Sequence, residues 1–320
     1  QMKELVELEE EILAYKGKRL PDDLLTQAKK SGFSDKYLAK LLGFKEKEIR
    51  DQRTNLRLVE AWDYVPVSGV ENARYYYSTY NGTDRTTVSQ RPKVMVLGGG
   101  PNRIGQGIEF DYCCVHAAFT LRDLGYETIM INCNPETVST DYDTSDKLYF
   151  EPLTVEDVVS IYQKEMPIGV IVQFGGQTPL NIAAELEEAG VHILGTSVNS
   201  IDAASDRSRF SEMMRKHGIP LPEPGTASSL GEALVVARRI GYPLILRPSY
   251  VLGGRGMEIV HDEEELRMYV ADAVGVTPDR PILIDRYLEN AIETEADALA
   301  DGLDVFIPSV IEHIEYAGVH

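Results

Sequence analysis

The sequence predicts an α/β protein in three parts: a small all-α unit, a domain built on a parallel sheet, and a second domain that mixes strands and helices. Apolar residues recur at helical spacing through residues 2–60, and apolar strands, glycine turns and helices alternate from Lys93 onwards. Further along, a strand that begins at Leu244 runs into a turn rich in glycine. The predicted parts, in chain order, are 1–60 (helical), 61–92 (linker), 93–205 (parallel sheet) and 206–320 (second domain).

Four short helices are predicted in the N-terminal unit. Leu5, Leu8 and Ile12 would share one face of the first helix. The predicted helices begin near Met2, Pro21, Ser34 and Lys45, and the last runs to about Leu58. A helix-turn-helix unit that reads DNA is the alternative, but 32 basic and 51 acidic residues give the chain a net charge of −19, which opposes nucleic-acid binding.

The linker at 61–92 lacks clear periodicity and carries the aromatic cluster Tyr75-Tyr76-Tyr77 together with Tyr80. Tyrosines of this kind can stack on nucleic-acid bases. They can also cover the surface of a neighbouring domain with their apolar rings. We interpret the linker as a docked connector of the second kind.

The parallel-sheet domain is predicted from strands followed by turns and helices. The predicted strands are Val94–Leu97, Thr128–Asn132, Gly169–Gln173 and a short one near His192–Leu194, and the predicted helices are Gly105–Leu124 and Thr178–Ala189. Gly98 and Gly100 follow the first strand as in a dinucleotide-binding fold. Two features argue against that fold. The third glycine, Gly105, comes two positions late, and Asn132 stands where an acidic residue would hold a ribose.

Polar loops follow three of these strands, at residues 101–106, 134–137 and 175–178. Ligands of open parallel sheets bind at the carboxyl edge, where such loops meet. Turn chemistry alone also favours Gly, Pro and Asn, so each loop has a purely structural explanation as well.

Composition indicates a cytoplasmic protein that binds neither membrane nor nucleic acid. No apolar run approaches the roughly 20 residues that cross a bilayer, and the first residues do not have the form of a signal peptide. Cys113, Cys114 and Cys133 fit neither zinc spacing nor a disulfide framework. We expect them to be reduced and mostly buried. A catalytic thiol is the alternative, although no histidine or carboxylate arrangement supports it.

The second domain contains a candidate phosphate-covering hairpin between Leu244 and Met257. Arg247 ends its first strand and Arg255 lies in its loop, beside the glycines at 253, 254 and 256. Glycine turns let backbone amides approach phosphate, although an ordinary hairpin with solvated arginines has the same pattern.

Helices and strands are also predicted around that hairpin. The predicted helices are 207–217, 230–240 and 262–273, and the predicted strands are 257–260, 281–285 and 291–300. Glu293, Glu295 and Asp297 would share one face of the last strand. Carboxylates on a central strand beside a phosphate loop indicate metal or ribose contact, whereas an exposed acidic edge strand is the alternative.

From about residue 206 the order of strand, glycine hairpin, arginine and acidic strand resembles an ATP-grasp domain, in which two lobes hold ATP between their sheets. Four motifs resemble the large subunit of carbamoyl phosphate synthetase, and its second half in particular. They are GGGPNRIGQGIEFDY at 98–112, NCNPETVSTDYD at 132–143, RPSYVLGGR at 247–255 and EHIEYAGVH at 312–320. Residues 2–60 resemble the closing helices of the family's oligomerisation domain.

The resemblance implies a fold, a reaction, cofactors and partners. A pre-ATP-grasp domain would precede a truncated ATP-grasp domain with a mobile lid at about 226–273. This half of the enzyme would phosphorylate carbamate, giving carbamoyl phosphate and ADP for arginine and pyrimidine biosynthesis. It would use ATP and Mg²⁺ or Mn²⁺, with K⁺ as a further cation. Its partners would be a glutamine amidotransferase small subunit and other large subunits, with carbamate or bicarbonate as substrate.

The resemblance also assigns residues. Arg207 and Arg247 would contact the phosphates as catalytic groups, and Glu109 and Glu136 would line a passage for carbamate. The nucleotide-binding positions would be Arg207, Arg247, Gly253, Gly254, Asp285, Arg286, Tyr287, Leu288, Glu293, Gly318, Val319 and His320. A monovalent cation would lie near Glu293, His313 and Val319.

Two departures from the family pattern limit these expectations. Residues 62–67 differ from the family, and the Mg²⁺-binding carboxylate of the family would come after His320. We therefore expect a fragment that has no Mg²⁺-dependent turnover by itself. A biotin carboxylase-like ligase is the enzyme alternative, although a lysine would be expected where Arg247 stands. A non-catalytic assembly module is the alternative from another class.

Overall fold

Four helices open the chain and pack around one small core. They are α1 (Met2–Leu13), α2 (Asp22–Lys30), α3 (Asp35–Leu42) and α4 (Glu46–Asn55). Leu8, Ile12 and Leu38 are buried at their centre. Ser34 caps α3, because its side chain accepts the N–H three residues further on. The predicted helices are confirmed, with the fourth ending before Leu58.

The computed structural model describes residues 2–101, 107–248, 257–276 and 281–314. The chain divides into two compact units, 1–205 and 206–320. Within the described ranges, no helix is both long enough and apolar enough to span a membrane.

A seven-stranded sheet forms the centre of the first unit. Its strands are β1 (Ala61–Pro66), β2 (Arg74–Thr79), β3 (Lys93–Leu97), β4 (Glu127–Ile131), β5 (Lys147–Tyr149), β6 (Gly169–Ile171) and β7 (Ile193–Leu194). They lie in the order β1-β2-β5-β4-β3-β6-β7. β1 and β2 pair antiparallel, whereas the other neighbours pair in parallel. The following helices are α5 (Ile108–Asp123), α6 (Val155–Glu165), α7 (Gln177–Glu188) and α8 (Val198–Ser205). The parallel sheet predicted from the sequence is therefore confirmed.

The segment predicted as a linker contains the hairpin of β1 and β2, which the sequence pattern did not predict. Trp62 on β1 is 2% exposed and packs edge-on against Tyr149, with ring centroids 5.0 Å apart. Tyr76 on β2 packs against the same core. Three consecutive tyrosines give the two faces of β2 the same character, so no period-two pattern marks it as a strand.

β5 and α6 were also absent from the predicted elements, because both carry buried charges. Lys147 on β5 lies 2.8 Å from Glu165 on α6, and Lys93 on β3 lies 3.5 Å from the same carboxylate. Glu165 is fully buried. Lysine and glutamate normally mark the solvent side of an element, so this sequence gives no sign of their burial.

An antiparallel sheet forms the centre of the second unit. Its strands are β8 (Pro224–Ala227), β9 (Leu244–Pro248), β10 (Glu258–Val260) and β11 (Ile282–Arg286). They lie in the order β10-β9-β11-β8. The helices are α9 (Arg207–Lys216), α10 (Leu230–Ile240) and α11 (Glu263–Val276). Leu246, Val260 and Ile284 are buried in the core of this sheet. The predicted helices are confirmed here, and β8 is an additional strand.

The prediction of a single central strand at 291–300 is wrong. The structure contains β12 (Thr294–Ala296), β13 (Leu299–Ala300), β14 (Val305–Phe306) and β15 (Val310–Glu312). β12 pairs with β15 and β13 with β14, in separate two-stranded ribbons. Glu295 and Asp297 are exposed. The alternating pattern matched a strand, but no apolar layer lies over the described ribbons to make it central.

Candidate functional site

The carboxyl edge of the seven-stranded sheet brings polar loops together. Asn132, directly after β4, accepts the backbone N–H groups of Gly100 at 3.0 Å and Cys133 at 2.9 Å. Its amide nitrogen donates to the hydroxyl of Ser139 at 2.9 Å. Asn132 is fully buried, and these bonds satisfy its oxygen and nitrogen. It therefore fixes the loops after β3 and β4 against each other.

The loop after β6 joins this arrangement through glycine packing. A side-chain carbon at Gly175 would lie 2.3 Å from the carbonyl oxygen of Gly98, and one at Gly98 would lie 2.5 Å from the amide nitrogen of Asn132. The backbone carbonyl of Gly98 cannot retreat easily, and the Asn132 side chain is held by its hydrogen bonds, so glycine is required at both positions. The described parts of the three loops at this edge thus pack against one another.

Asp111 on α5 is a residue of this edge that the sequence did not single out. It is 6% exposed, and one carboxylate oxygen accepts the backbone N–H of Ser139 at 3.1 Å. The other oxygen is buried without a hydrogen-bond partner among the described residues. Asp111 lies within the motif at 98–112, on the helix that follows the first strand of the parallel sheet. Its position in that motif was the one sequence signal that could have indicated it.

The two residues predicted to line a carbamate passage lie at the same edge. Glu109 is exposed in the first turn of α5. Glu136 is exposed in the loop after β4, where its N–H donates to the side chain of Asn134 at 3.0 Å. Their shared edge is compatible with a common path, and their role as a passage stays a prediction.

The cysteines near this edge differ from one another in burial. Cys114 is buried, Cys133 is half-buried and Cys113 is exposed, so the expectation of general burial is wrong for Cys113. Burial raises the pKa of Cys114 to about 12 and also raises the pKa of Cys133. A raised pKa keeps a thiol protonated and poorly nucleophilic.

In the second unit, the predicted nucleotide residues Arg207 and Asp285 meet directly. Arg207 is the first residue of α9, and its Nη2 forms an ion pair with Oδ1 of Asp285 on β11. The Nη1 atom of Arg207 is buried and has no hydrogen-bond partner in the described part of the chain. Arg247 lies on the neighbouring strand β9, paired with Leu283, and is exposed.

The four residues that the resemblance would place around adenine as a hinge, Asp285, Arg286, Tyr287 and Leu288, lie at the end of β11 and just after it. The Arg286 side chain donates to the carbonyl of Tyr242 at 2.7 Å, so it is used within the fold. The backbone N–H of Tyr287 donates to the carbonyl of Pro243 at 3.1 Å. Leu288 is exposed and offers an apolar surface beside this strand end. An apolar side chain next to strand backbone suits a flat aromatic base.

Two of the residues predicted to lie near a monovalent cation, Glu293 and His313, fall in the described part of the chain. The backbone N–H of His313 donates to the carbonyl of Glu293 at 3.0 Å, so the two residues are adjacent. The ring of His313 faces Glu295, with Nε2 and Oε2 3.4 Å apart. No group of three or more His, Cys, Asp or Glu side chains that could hold a metal ion occurs among the described residues.

Several predicted nucleotide residues lie outside the described ranges. They are Gly253, Gly254, Gly318, Val319 and His320. The glycine hairpin and the loop at the end of the chain therefore stay predictions.

Comparison with protein families gives three matches in chain order. A family described as "Carbamoyl-phosphate synthetase large chain, oligomerisation domain" matches residues 1–57. "Carbamoyl phosphate synthase preATP-grasp domain" matches residues 90–203. "Carbamoyl-phosphate synthase L chain, ATP binding domain" matches residues 206–313.

Curated relatives agree with these matches. The carbamoyl phosphate synthase large chain of Archaeoglobus fulgidus is 57% identical over 326 residues, covering 100% of this chain and 30% of the relative. The large chain of Pseudomonas aeruginosa is 54% identical over 323 residues, with the same coverage. The chain thus spans about 30% of the length of these relatives.

Solved structures share the fold. The biotin carboxylase domain of Hydrogenobacter thermophilus 2-oxoglutarate carboxylase, solved with MgADP, ADP and bicarbonate, has a TM-score of 0.53 and 25% identity, over 70% of this chain and 51% of that one. N5-carboxyaminoimidazole ribonucleotide synthetase from Thermus thermophilus has a TM-score of 0.52 and 18% identity, over 71% and 56%. The second likeness concerns the fold alone.

Proposed function

Because the chain belongs to the carbamoyl phosphate synthase large-chain family, we propose that it forms part of the half-enzyme that phosphorylates carbamate. The γ-phosphoryl group of ATP would pass to a carbamate oxygen, leaving ADP and carbamoyl phosphate. The observation that carries the proposal is the unbroken order of three matches, from oligomerisation domain to pre-ATP-grasp domain to ATP-binding domain. That order favours the second synthetase half, as the motifs at 98–112 and 132–143 do.

Arginines and backbone amides would supply most of the chemistry. Phosphoryl transfer requires in-line positioning and neutralisation of charge, and it needs no covalent catalyst. Arg207 on α9 and Arg247 on β9 belong to the second unit and would bind the phosphates. The exposed guanidinium of Arg247 is available to a ligand. Leu288 and the hinge backbone would hold the base, and Glu293 the ribose.

Cations would complete the site. Mg²⁺, or Mn²⁺ in its place, would neutralise phosphate charge, as MgADP is held in the Hydrogenobacter domain. Its ligands are not assembled among the described residues, where no cluster of three suitable side chains occurs. A monovalent cation such as K⁺ would lie near Glu293 and His313, which are adjacent.

The proposed partners follow from the family. The helical unit at 1–60 would contact other large subunits, and a glutamine amidotransferase small subunit would supply ammonia. Carbamate would reach the site past Glu109 and Glu136. The proposed setting is the cytoplasm, in arginine or pyrimidine biosynthesis. A biotin carboxylase activity is less well supported, because its likeness is 25% identical whereas the large chains are 57% and 54% identical.

We also propose that this chain alone does not turn over. From Leu288 to Ile314 the described residues form small ribbons whose large apolar side chains face solvent. Leu303 is 94% exposed and Ile314 is 100% exposed. The other exposed large apolar side chains of this range are Leu288, Ile292, Leu299, Val305, Phe306, Ile307, Val310 and Ile311. Apolar surface of this extent normally packs against protein, so the proposed active form is one in which further protein covers these ribbons.

Nucleotide titration tests the proposal. We expect the 320-residue chain to bind ATP in calorimetry and Arg247→Ala to weaken binding at least about tenfold, the loss of about one charge-assisted contact. Arg238→Ala is the matched control, because this arginine is exposed on α10 in the same unit. Absence of ATP binding would favour the assembly-module alternative. Carbamate-dependent ADP formation by the chain alone would overturn only the proposed inactivity.

A further inference from the structure

The ion pair between Arg207 and Asp285 joins residues that are 78 positions apart. Arg207 starts α9, whereas Asp285 is near the end of the central strand β11. The two side chains are 33% and 19% exposed, so water screens the pair only partly. Asp285 therefore holds one branch of a long and otherwise flexible side chain.

The second branch of the guanidinium makes no hydrogen bond within the described part of the chain. Its Nη1 is buried without a partner among the described residues, although an arginine nitrogen that loses water normally gains an acceptor. A guanidinium is a planar fork, so fixing Nη2 on a carboxylate also fixes the direction of Nη1. The free donor is thus oriented before any ligand arrives.

The other arginines near this strand have different surroundings. Arg286 donates to the carbonyl of Tyr242, and Arg247 is exposed on β9. Arg207 alone among these three combines a fixed branch with an unpaired, buried one. An anion with several oxygens, such as a phosphate, would satisfy this donor.

We propose that Asp285 is a positioning residue that holds Nη2 of Arg207 and thereby directs Nη1 at a phosphate of a nucleoside triphosphate. The inference rests on the proposed function and gives the Asp285 carboxylate a role distinct from reading the base. A direct contact between Asp285 and adenine or ribose is the alternative. A carboxylate that only repels phosphate is a second alternative.

Calorimetric titration with ATP and with adenosine separates these roles. We expect Asp285→Asn to weaken ATP binding about tenfold, because one charge-assisted hydrogen bond to phosphate is misdirected. Adenosine has no phosphate, so its affinity should be unchanged. Asp285→Glu, which keeps the charge, should recover part of the loss. Glu289→Gln is the matched control, since it removes a carboxylate from an exposed residue just after the same strand.

A double-mutant cycle provides the decisive comparison. In the Arg207→Ala background, Asp285→Asn should change ATP affinity less than about twofold, because no arginine is left to position. An equal loss in both backgrounds, a loss of adenosine binding, or tighter ATP binding by Asp285→Asn would each overturn the inference. If the unaltered chain bound ATP normally, the proposed function would survive those results. If it bound no ATP, both proposals would fail together. Circular dichroism melts would verify that each variant is folded.

Discussion

Replacing Lys29 by methionine should destabilise the first unit strongly, because Lys29 lies in a buried ion cluster. This cluster consists of Lys29, Asp35, Arg53, Glu60, Tyr80 and Glu156. The Nζ atom of Lys29 lies 2.5 Å from Glu156 on α6 and 3.0 Å from Asp35 on α3. The lysine side chain is 2% exposed. The cluster therefore connects the N-terminal helices to the helix layer of the sheet.

The size of the effect follows from the charges that remain. Arg53 also pairs with Asp35, at 2.9 Å, and lies 3.6 Å from Glu60. Without Lys29, Arg53 would be the single cation facing three buried carboxylates of the cluster. Removing one partner of a buried pair costs about 3–5 kcal/mol, because an uncompensated charge is left behind. Tyr80 cannot replace the lost cation, because its hydroxyl carries no positive charge and already donates to Glu60 at 2.7 Å.

Urea unfolding measures this loss directly. Trp62 is the one tryptophan of the sequence and is buried in the first unit, so its fluorescence reports on that unit. With a slope of about 3 kcal/mol per M, Lys29→Met should lower the midpoint by about 1–2 M. Lys30→Met is the control, because Lys30 is adjacent and exposed. Adding Glu156→Gln to Lys29→Met should recover part of the loss. A change below about 1 kcal/mol, as for a surface pair, would contradict the reasoning.

Three further predictions concern stability, two in the first unit and one in the second. Burial raises the pKa of Asp157 from 3.8 to about 7. The folded state therefore binds the proton more tightly than the unfolded state does. This contribution to the free energy of unfolding is complete at low pH and is lost as pH rises through about 7. The stability of Asp157→Asn relative to the unaltered chain should therefore increase between about pH 5 and pH 8 in urea titrations; a constant difference would refute this. Gly175→Ala should lower the unfolding free energy by about 1–3 kcal/mol, because its new carbon would overlap the carbonyl of Gly98. Gly231→Ala, on α10 with no atom within 4 Å, should instead stabilise by up to about 1 kcal/mol in thermal melts.

The sequence predicted those strands and helices in which apolar residues are buried and polar residues are exposed. Apolar runs marked β3 and β4, and capping residues marked the N-terminal helices. Elements with buried charges, such as β5 with Lys147 and α6 with Glu165, had no such signal. Their charges are neutralised by partners distant in sequence, and a local pattern does not contain those partners.

In the candidate site, too, the sequence indicated individual residues but not the contacts between residues distant in sequence. The family resemblance named Arg207 and Asp285 separately, and their direct pairing emerged only from the structure, which brings the first residue of α9 to β11. Asp111 and Asn132 were present in the quoted motifs without a stated role. Their burial and hydrogen bonds depend on how the loops after β3 and β4 fold together.

The glycines after β3 show that the same glycine pattern can have different structural causes. In a dinucleotide fold, glycines at this turn let the backbone approach a pyrophosphate. Here Gly98 lies against the Asn132 side chain, and Gly175 lies against the carbonyl of Gly98. The space that glycine provides is filled by neighbouring loops of the protein itself. The glycines at this edge therefore hold loops of the protein against one another, whereas the arginines proposed to bind phosphate belong to the second unit.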